Sequence, residues 1–231
     1  MSEAVVQARR LHAYHDVDAM RADVVDRITS LANRCISTRG AFRIVLAGGS
    51  TPQAIYQELK DIKTEWSAWH IYFGDERCLP VGDAGRNDTM ALAAWLADVP
   101  IPPQQIHSIP AELGAEAGAQ QYQTTLAHLD SFDLVLLGLG EDGHTASLFP
   151  HHTHDPAASV LAVRDAPKAP SERISLGSTT LSQGDHVWFL VNGAGKRKAL
   201  NQWLRGDNLP ASAIRPRAGV DIFTDISATP A

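Results

Sequence analysis

Cysteine is scarce in this chain: Cys35 and Cys78 are the only two in 231 residues, far apart and without a CxxC pair. Two cysteines make no disulfide framework, and a chain of this length can bury enough apolar surface to fold without one. No basic segment followed by an apolar one stands at Met1-Ser2-Glu3-Ala4-Val5, so no signal peptide is expected. No apolar run approaches the length of a membrane span. Excess cation is lacking too. The net charge of −6 argues against a nucleic-acid backbone as partner, although a local cationic pocket is compatible with it. There is no internal repeat, low-complexity tract or break in composition, so residues 1–231 read as one domain. A reducing, cytoplasmic setting is the default expectation.

What the sequence does contain is alternation. Strand-like and helix-like patterns follow one another, which predicts an α/β fold: a largely parallel sheet flanked by helices. Met20, Val24, Ile28, Leu31 and Cys35 recur at helical spacing behind a cap at Asp16. Residues 42–47 read as a strand, 48–52 as a turn and 53–60 as a helix. The next strand spans 70–74, and a long loop carries Asp75 to Asn87. Asp88 is read as the cap of a helix over 89–97, and 115–129 as helical. Further strands are expected at 132–137, 160–164, 173–176, 187–192 and 220–223, with a short amphipathic helix over 196–205. Cys35 continues an apolar stripe; Cys78 lies in a polar loop where nothing identifies a nucleophile.

The most informative stretch is Gly138-Leu139-Gly140-Glu141-Asp142-Gly143-His144-Thr145-Ala146-Ser147-Leu148-Phe149-Pro150. It follows the apolar run 132–137, so its glycines turn the chain at the carboxyl edge of a sheet, where open α/β proteins bind ligands. Asp142, two residues before His144, is placed to accept an imidazole proton and fix the ring. That suits a general base working near neutral pH.

Gly48-Gly49-Ser50-Thr51-Pro52 lies between a strand and a helix. Successive backbone N–H groups and two hydroxyls there would form an anion site; a plain turn with Thr51 as helix cap fits equally well. It is not a nucleotide P-loop, because no Gly-Lys-Ser/Thr follows. Lys196, after Gly193-Ala194-Gly195, opens a helix where a cation opposes the dipole unless an anion is near; solvent exposure is the other reading. Arg173 begins a strand and either points into a site or makes a surface ion pair. Asp75-Glu76-Arg77 after the 70–74 strand would polarise a carbonyl, or else form an internally paired loop network. His151, His152 and His154 lack the spacing of a helix-borne zinc site, so no metal is expected.

Together these segments resemble the 6-phosphogluconolactonase family. The resemblance rests on Gly48 to Pro52, on Asp75-Glu76-Arg77 with Pro80 and Asn87, and on Gly138 to Pro150. Arg173-Ile174-Ser175, Gly195-Lys196 and Leu209-Pro210-Ala211-Ser212 extend it across most of the chain, in the family's order. Arg86 stands where the family often has serine. The resemblance implies a Rossmann-like fold and hydrolysis of 6-phospho-D-glucono-1,5-lactone, with His144 activating water, Asp142 orienting His144 and Arg77 stabilising the oxyanion. It also implies that Gly49, Ser50, Thr51, Arg173 and Lys196 hold the phosphate, that Asp75 belongs to the site, and that no redox cofactor or metal is needed. The partner expected is a small sugar-phosphate lactone, handled by a monomer or small homo-oligomer. The related glucosamine-6-phosphate isomerase/deaminases resemble Gly-His-Ile-Ala-Phe-Asn-Glu-Pro in the same region, with a catalytic glutamate where this chain has Phe149. A non-catalytic sugar-phosphate sensor is a further alternative, opposed by the presence of both His144 and Arg77.

Overall fold

The computed structural model describes residues 7–226, so the Met1–Val5 segment lies outside the described residues. Seven strands form one wholly parallel sheet: β1 (Arg9–Ala13), β2 (Phe42–Leu46), β3 (Trp69–Phe73), β5 (Ile106–His107), β6 (Phe132–Gly138), β9 (Gly184–Val191) and β10 (Val220–Thr224). Their order is β1-β10-β9-β6-β2-β3-β5. Helices α1 (Val17–Arg39), α2 (Ser50–Leu59) and α6 (Arg197–Arg205) supply its cover, and α4 (Ala115–Leu126) reaches it through Tyr122, whose hydroxyl accepts the Phe73 N–H. The central β6 is buried from Phe132 to Leu137, as expected of a strand covered on both faces.

Helix α1 shows how directly the pattern becomes packing. Asp16 caps it, its side chain accepting the Ala19 N–H at 2.8 Å, a contact worth about 1 kcal/mol. Gly40 ends it at φ 75°, a left-handed conformation that costs glycine little. Met20, Val24, Ile28, Leu31 and Cys35 all lie buried against the sheet. Each such aliphatic side chain contributes roughly 1.5–3 kcal/mol on burial.

Four expectations need correction. The 75–87 segment is not all loop: Asp75–Arg77 forms a short strand, β4. It pairs antiparallel with β8 (Arg173–Leu176), and β8 pairs antiparallel with β7 (Val160–Val163), making a second, three-stranded sheet. Asp88 does not cap the following helix, because α3 (Asn87–Ala91) starts two residues earlier than expected, Arg86 holds the cap position, and a π-helical turn continues over Leu92–Leu96. Asp88 instead pairs with Arg86. Helix α2 begins at Ser50, with Gly49 at φ 105° before it, so the motif read as a turn is largely its first turn. Lys196 precedes α6, lying in a 3-10 turn over Ala194–Lys196. Helix α5 (Ser178–Leu181) and the edge strands β1 and β5 are too short or too polar to have shown a pattern. No helix among the described residues is long and apolar enough to cross a membrane.

Candidate active site

The carboxyl ends of β6, β2 and β3 are neighbours in the sheet, and the segments leaving them share one cleft of about 310 Å³. This is the size of a small-molecule site at the edge where open parallel sheets bind ligands. β2 brings Gly48 and Gly49, β3 brings Gly74 and Asp75, and β6 brings Gly138 and Gly140. His144, Phe149, Arg77, Arg173, Lys168 and Lys196 complete the walls.

His144 is held by its own loop. Its Nδ1 lies 2.5 Å from Asp142 Oδ1, and its backbone N–H donates to the same oxygen at 3.1 Å. The Gly140 N–H closes the turn on the His144 carbonyl at 2.7 Å, while Gly143 supplies a φ of 86°. Burial opposes the charged form of Asp142, but the backbone and ring N–H groups of His144 outweigh it and hold the carboxyl below its ordinary value. An ionised Asp142 accepts the hydrogen bond of Nδ1–H, which leaves the lone pair on Nε2. The Phe149 ring sits 4.9 Å from the imidazole and excludes water from that side.

Arg77 and Arg173 come from segments almost a hundred positions apart, yet they are register partners across β4 and β8. Arg77 Nη1 donates to the Gly85 carbonyl at 2.5 Å, and its Nε is buried without a partner among the described residues. Arg173 is buried, with Nη2 on the Lys168 carbonyl at 2.9 Å, Nε on the Pro170 carbonyl at 3.3 Å, and its guanidinium 5.5 Å from the Phe149 ring centre. Burial lowers its pKa against the opposing pull of Asp75. Arg173 therefore does two jobs: it adds charge to the cleft and holds the loop that presents Lys168.

Asp75 is also buried and tied down. Its Oδ2 accepts the Ser147 hydroxyl at 2.7 Å, and Asn87 Nδ2 reaches its carbonyl oxygen at 2.8 Å and Oδ1 at 3.2 Å. Such a residue braces the site. Glu76 lies behind it, accepting the N–H groups of Arg77, Asn87 and Asp88 at 2.7 to 2.9 Å. Its burial pushes the carboxyl up to about 7 in spite of those three donors.

The residues expected to hold an anion are brought together unequally. Gly49 and Lys196 line the cleft. Ser50 and Thr51 lie in the first turn of α2 and are not among the residues that line the cleft, and the Thr51 hydroxyl donates to Asn192. His151, His152 and His154 line a separate cavity behind Phe149, and no group of three or more His, Cys, Asp or Glu among the described residues is arranged to hold a metal. Sequence reasoning missed Lys168 and Ser147. Lys168 carries no pattern of its own; it lines the cleft, and its carbonyl accepts from Arg173 Nη2.

A cleft with a fixed imidazole, four cations and a braced carboxylate suits attack of water on a carbonyl carried by an anionic substrate. Comparison with known proteins points the same way. Residues 15–223 match the family model described as glucosamine-6-phosphate isomerases/6-phosphogluconolactonase. A Synechocystis protein named 6-phosphogluconolactonase is 37% identical over 205 residues, covering 82% of this chain and 84% of its own. The Arabidopsis thaliana protein named 6-phosphogluconolactonase 3, chloroplastic, is 32% identical over 240 residues, 95% of this chain and 74% of its own. The crystal structure of the Thermotoga maritima 6-phosphogluconolactonase superposes with a TM-score of 0.87 at 26% identity, covering 94% of this chain and 99% of that one. The chain belongs to the glucosamine-6-phosphate isomerase/6-phosphogluconolactonase family.

Proposed function

We propose that this protein hydrolyses 6-phospho-D-glucono-1,5-lactone to 6-phospho-D-gluconate. The observation that carries the reading is the pairing of His144 with Asp142 in a cleft shared with Arg77. Nε2 of His144 takes a proton from water as that water attacks the lactone carbonyl. Arg77 meets the negative charge that develops on the carbonyl oxygen. The proton held on His144 then passes to the departing ring oxygen, which opens the lactone. Gly49, Ser50 and Thr51 at the start of α2, with Arg173, Lys168 and Lys196, hold the 6-phosphate through amides and cations. Asp75 braces the site through Asn87 and Ser147. None of these steps calls on a metal or a redox cofactor. The same reading places the enzyme in the cytoplasm as a monomer or small homo-oligomer.

Phe149 separates this activity from that of the isomerase/deaminase branch. Ring opening of an amino sugar and loss of ammonia need an additional proton carrier, and an aromatic ring packed on His144 and Arg173 supplies none. The deciding experiment supplies freshly made lactone, subtracts its spontaneous hydrolysis and follows acid release. Catalysed acid release is expected, with no ammonia from glucosamine 6-phosphate. Ammonia release without lactone hydrolysis would overturn the assignment.

A further inference from the structure

Arg86 is 2% exposed and does not line the cleft, yet every N–H of its guanidinium is engaged. Nε and Nη2 grip the two oxygens of Asp88 at 2.9 and 2.8 Å. Nη2 also donates to the Ile109 carbonyl, and Nη1 to the Leu79 carbonyl and to Glu112 Oε2, each at 3.0 Å. These bonds tie both ends of the 79–88 loop to the segment leading into α4. A planar fork with five satisfied donors fixes a loop far more rigidly than a single point charge does.

That loop is what holds Arg77. Gly85, the residue immediately before Arg86, provides the carbonyl that accepts the Arg77 Nη1–H hydrogen bond. Glu76 Oε2 lies 4.0 Å from Arg86 Nε, while Oε1 accepts the Arg77 N–H at 2.8 Å. The guanidinium of Arg77 is thus held by the residue next to Arg86, and its backbone N–H by a carboxylate that Arg86 faces at ion-pair distance. An oxyanion donor is effective only when its position is set before the reaction begins, because misplacement by about 1 Å costs up to roughly a hundredfold in rate.

We propose that Arg86 is a positioning residue for hydrolysis: by clamping the 79–88 loop it holds the Gly85 carbonyl and Glu76 where they fix the Arg77 guanidinium at the cleft. The inference rests on the lactonase reading, in which Arg77 meets the developing oxyanion. It differs from a purely structural role in one respect. A structural Arg86 matters equally whether or not Arg77 is present, whereas a positioning Arg86 matters only through Arg77.

A double-mutant cycle reads that difference. Arg86→Lys keeps the charge and loses the fork; Glu112→Gln is the gentler partner, removing one anion from Nη1 at a half-exposed site. In the wild-type background Arg86→Lys is expected to lower kcat about tenfold with KM changed less than about twofold. Glu112→Gln should lower kcat by a smaller factor. In an Arg77→Ala background both substitutions should change the residual kcat by less than about twofold. Equal losses in the two backgrounds, or an undiminished kcat in folded Arg86→Lys, would overturn the proposal. If Arg86→Lys fails to fold, Glu112→Gln decides by the same comparison. A wild-type enzyme without lactonase activity would instead sink the functional reading itself.

Discussion

One carboxylate oxygen, Oδ1 of Asp142, accepts both the ring Nδ1–H and the backbone N–H of His144, at 2.5 and 3.1 Å. The imidazole is thereby fixed in position and tautomer by a residue only two places away, across a glycine at φ 86°. Nothing distant is needed to orient it. The strand β6 only has to deliver the loop to the sheet edge.

Replacing His144 by alanine should leave the fold intact, because the side chain lies in a loop at the cleft. Turnover should fall by roughly two to four decades, the usual contribution of a positioned general base. Phosphogluconate binding should persist, measured by calorimetry, because the cations remain. Near-normal kcat in a folded variant would remove His144 from the mechanism and leave Asp75, the carboxylate that lines the cleft, as the next candidate.

Gly140→Ala offers a test without touching either member of the pair. A β-carbon there would fall on Nδ1 of His144 and Oδ1 of Asp142, well inside contact distance, and Gly140 is not among the glycines at positive φ. The ring must therefore swing away. Activity should drop by about one to two decades with little change in Tm, since a small misplacement of a catalytic group suffices. Unchanged kcat would show that the pairing is dispensable.

The phosphate contacts should separate by function. Lys196→Ala should raise KM by roughly one to two decades with kcat nearly unaltered, the cost of one charge-assisted contact. Lys168→Ala should behave in the same way. Arg173→Ala should raise KM and also lower Tm, because its buried guanidinium holds the Lys168 and Pro170 carbonyls. Equal efficiency of the wild type on unphosphorylated gluconolactone would contradict the whole set.

Glu76 makes stability depend on pH. Its folded-state pKa of about 7 lies above the ordinary 4.5, so the folded protein holds this proton more tightly than the unfolded chain does. The stabilisation is complete below about 4.5 and is lost as pH rises through about 7, on the order of 3 kcal/mol in all. Asp88, whose pKa is lowered, titrates below this window. Burial disfavours its charged form, and Arg86 more than offsets that. Denaturant midpoints measured from about pH 5 to 8 should fall for the wild type and stay flatter for Glu76→Gln. Parallel slopes would refute the assignment.

The sequence alone determined the parallel strands, the long first helix and the glycine-bounded His144 loop. Each is set by local physics: apolar period, helix caps, and glycines that permit one turn. Asp142 and His144 were legible as a pair because a two-residue spacing can close on itself. The structure alone decided that Arg77 faces Arg173, since β4 is three residues long and exists only by pairing with β8. It alone brought Ser147 to Asp75 across 72 positions, Lys168 to the cleft, and the charged Arg86 into the interior beside Asp88 and Glu112. Such contacts leave no periodic trace in the chain, because they are fixed by strand pairing and by the need of buried charges for partners, and both are satisfied only after distant segments meet.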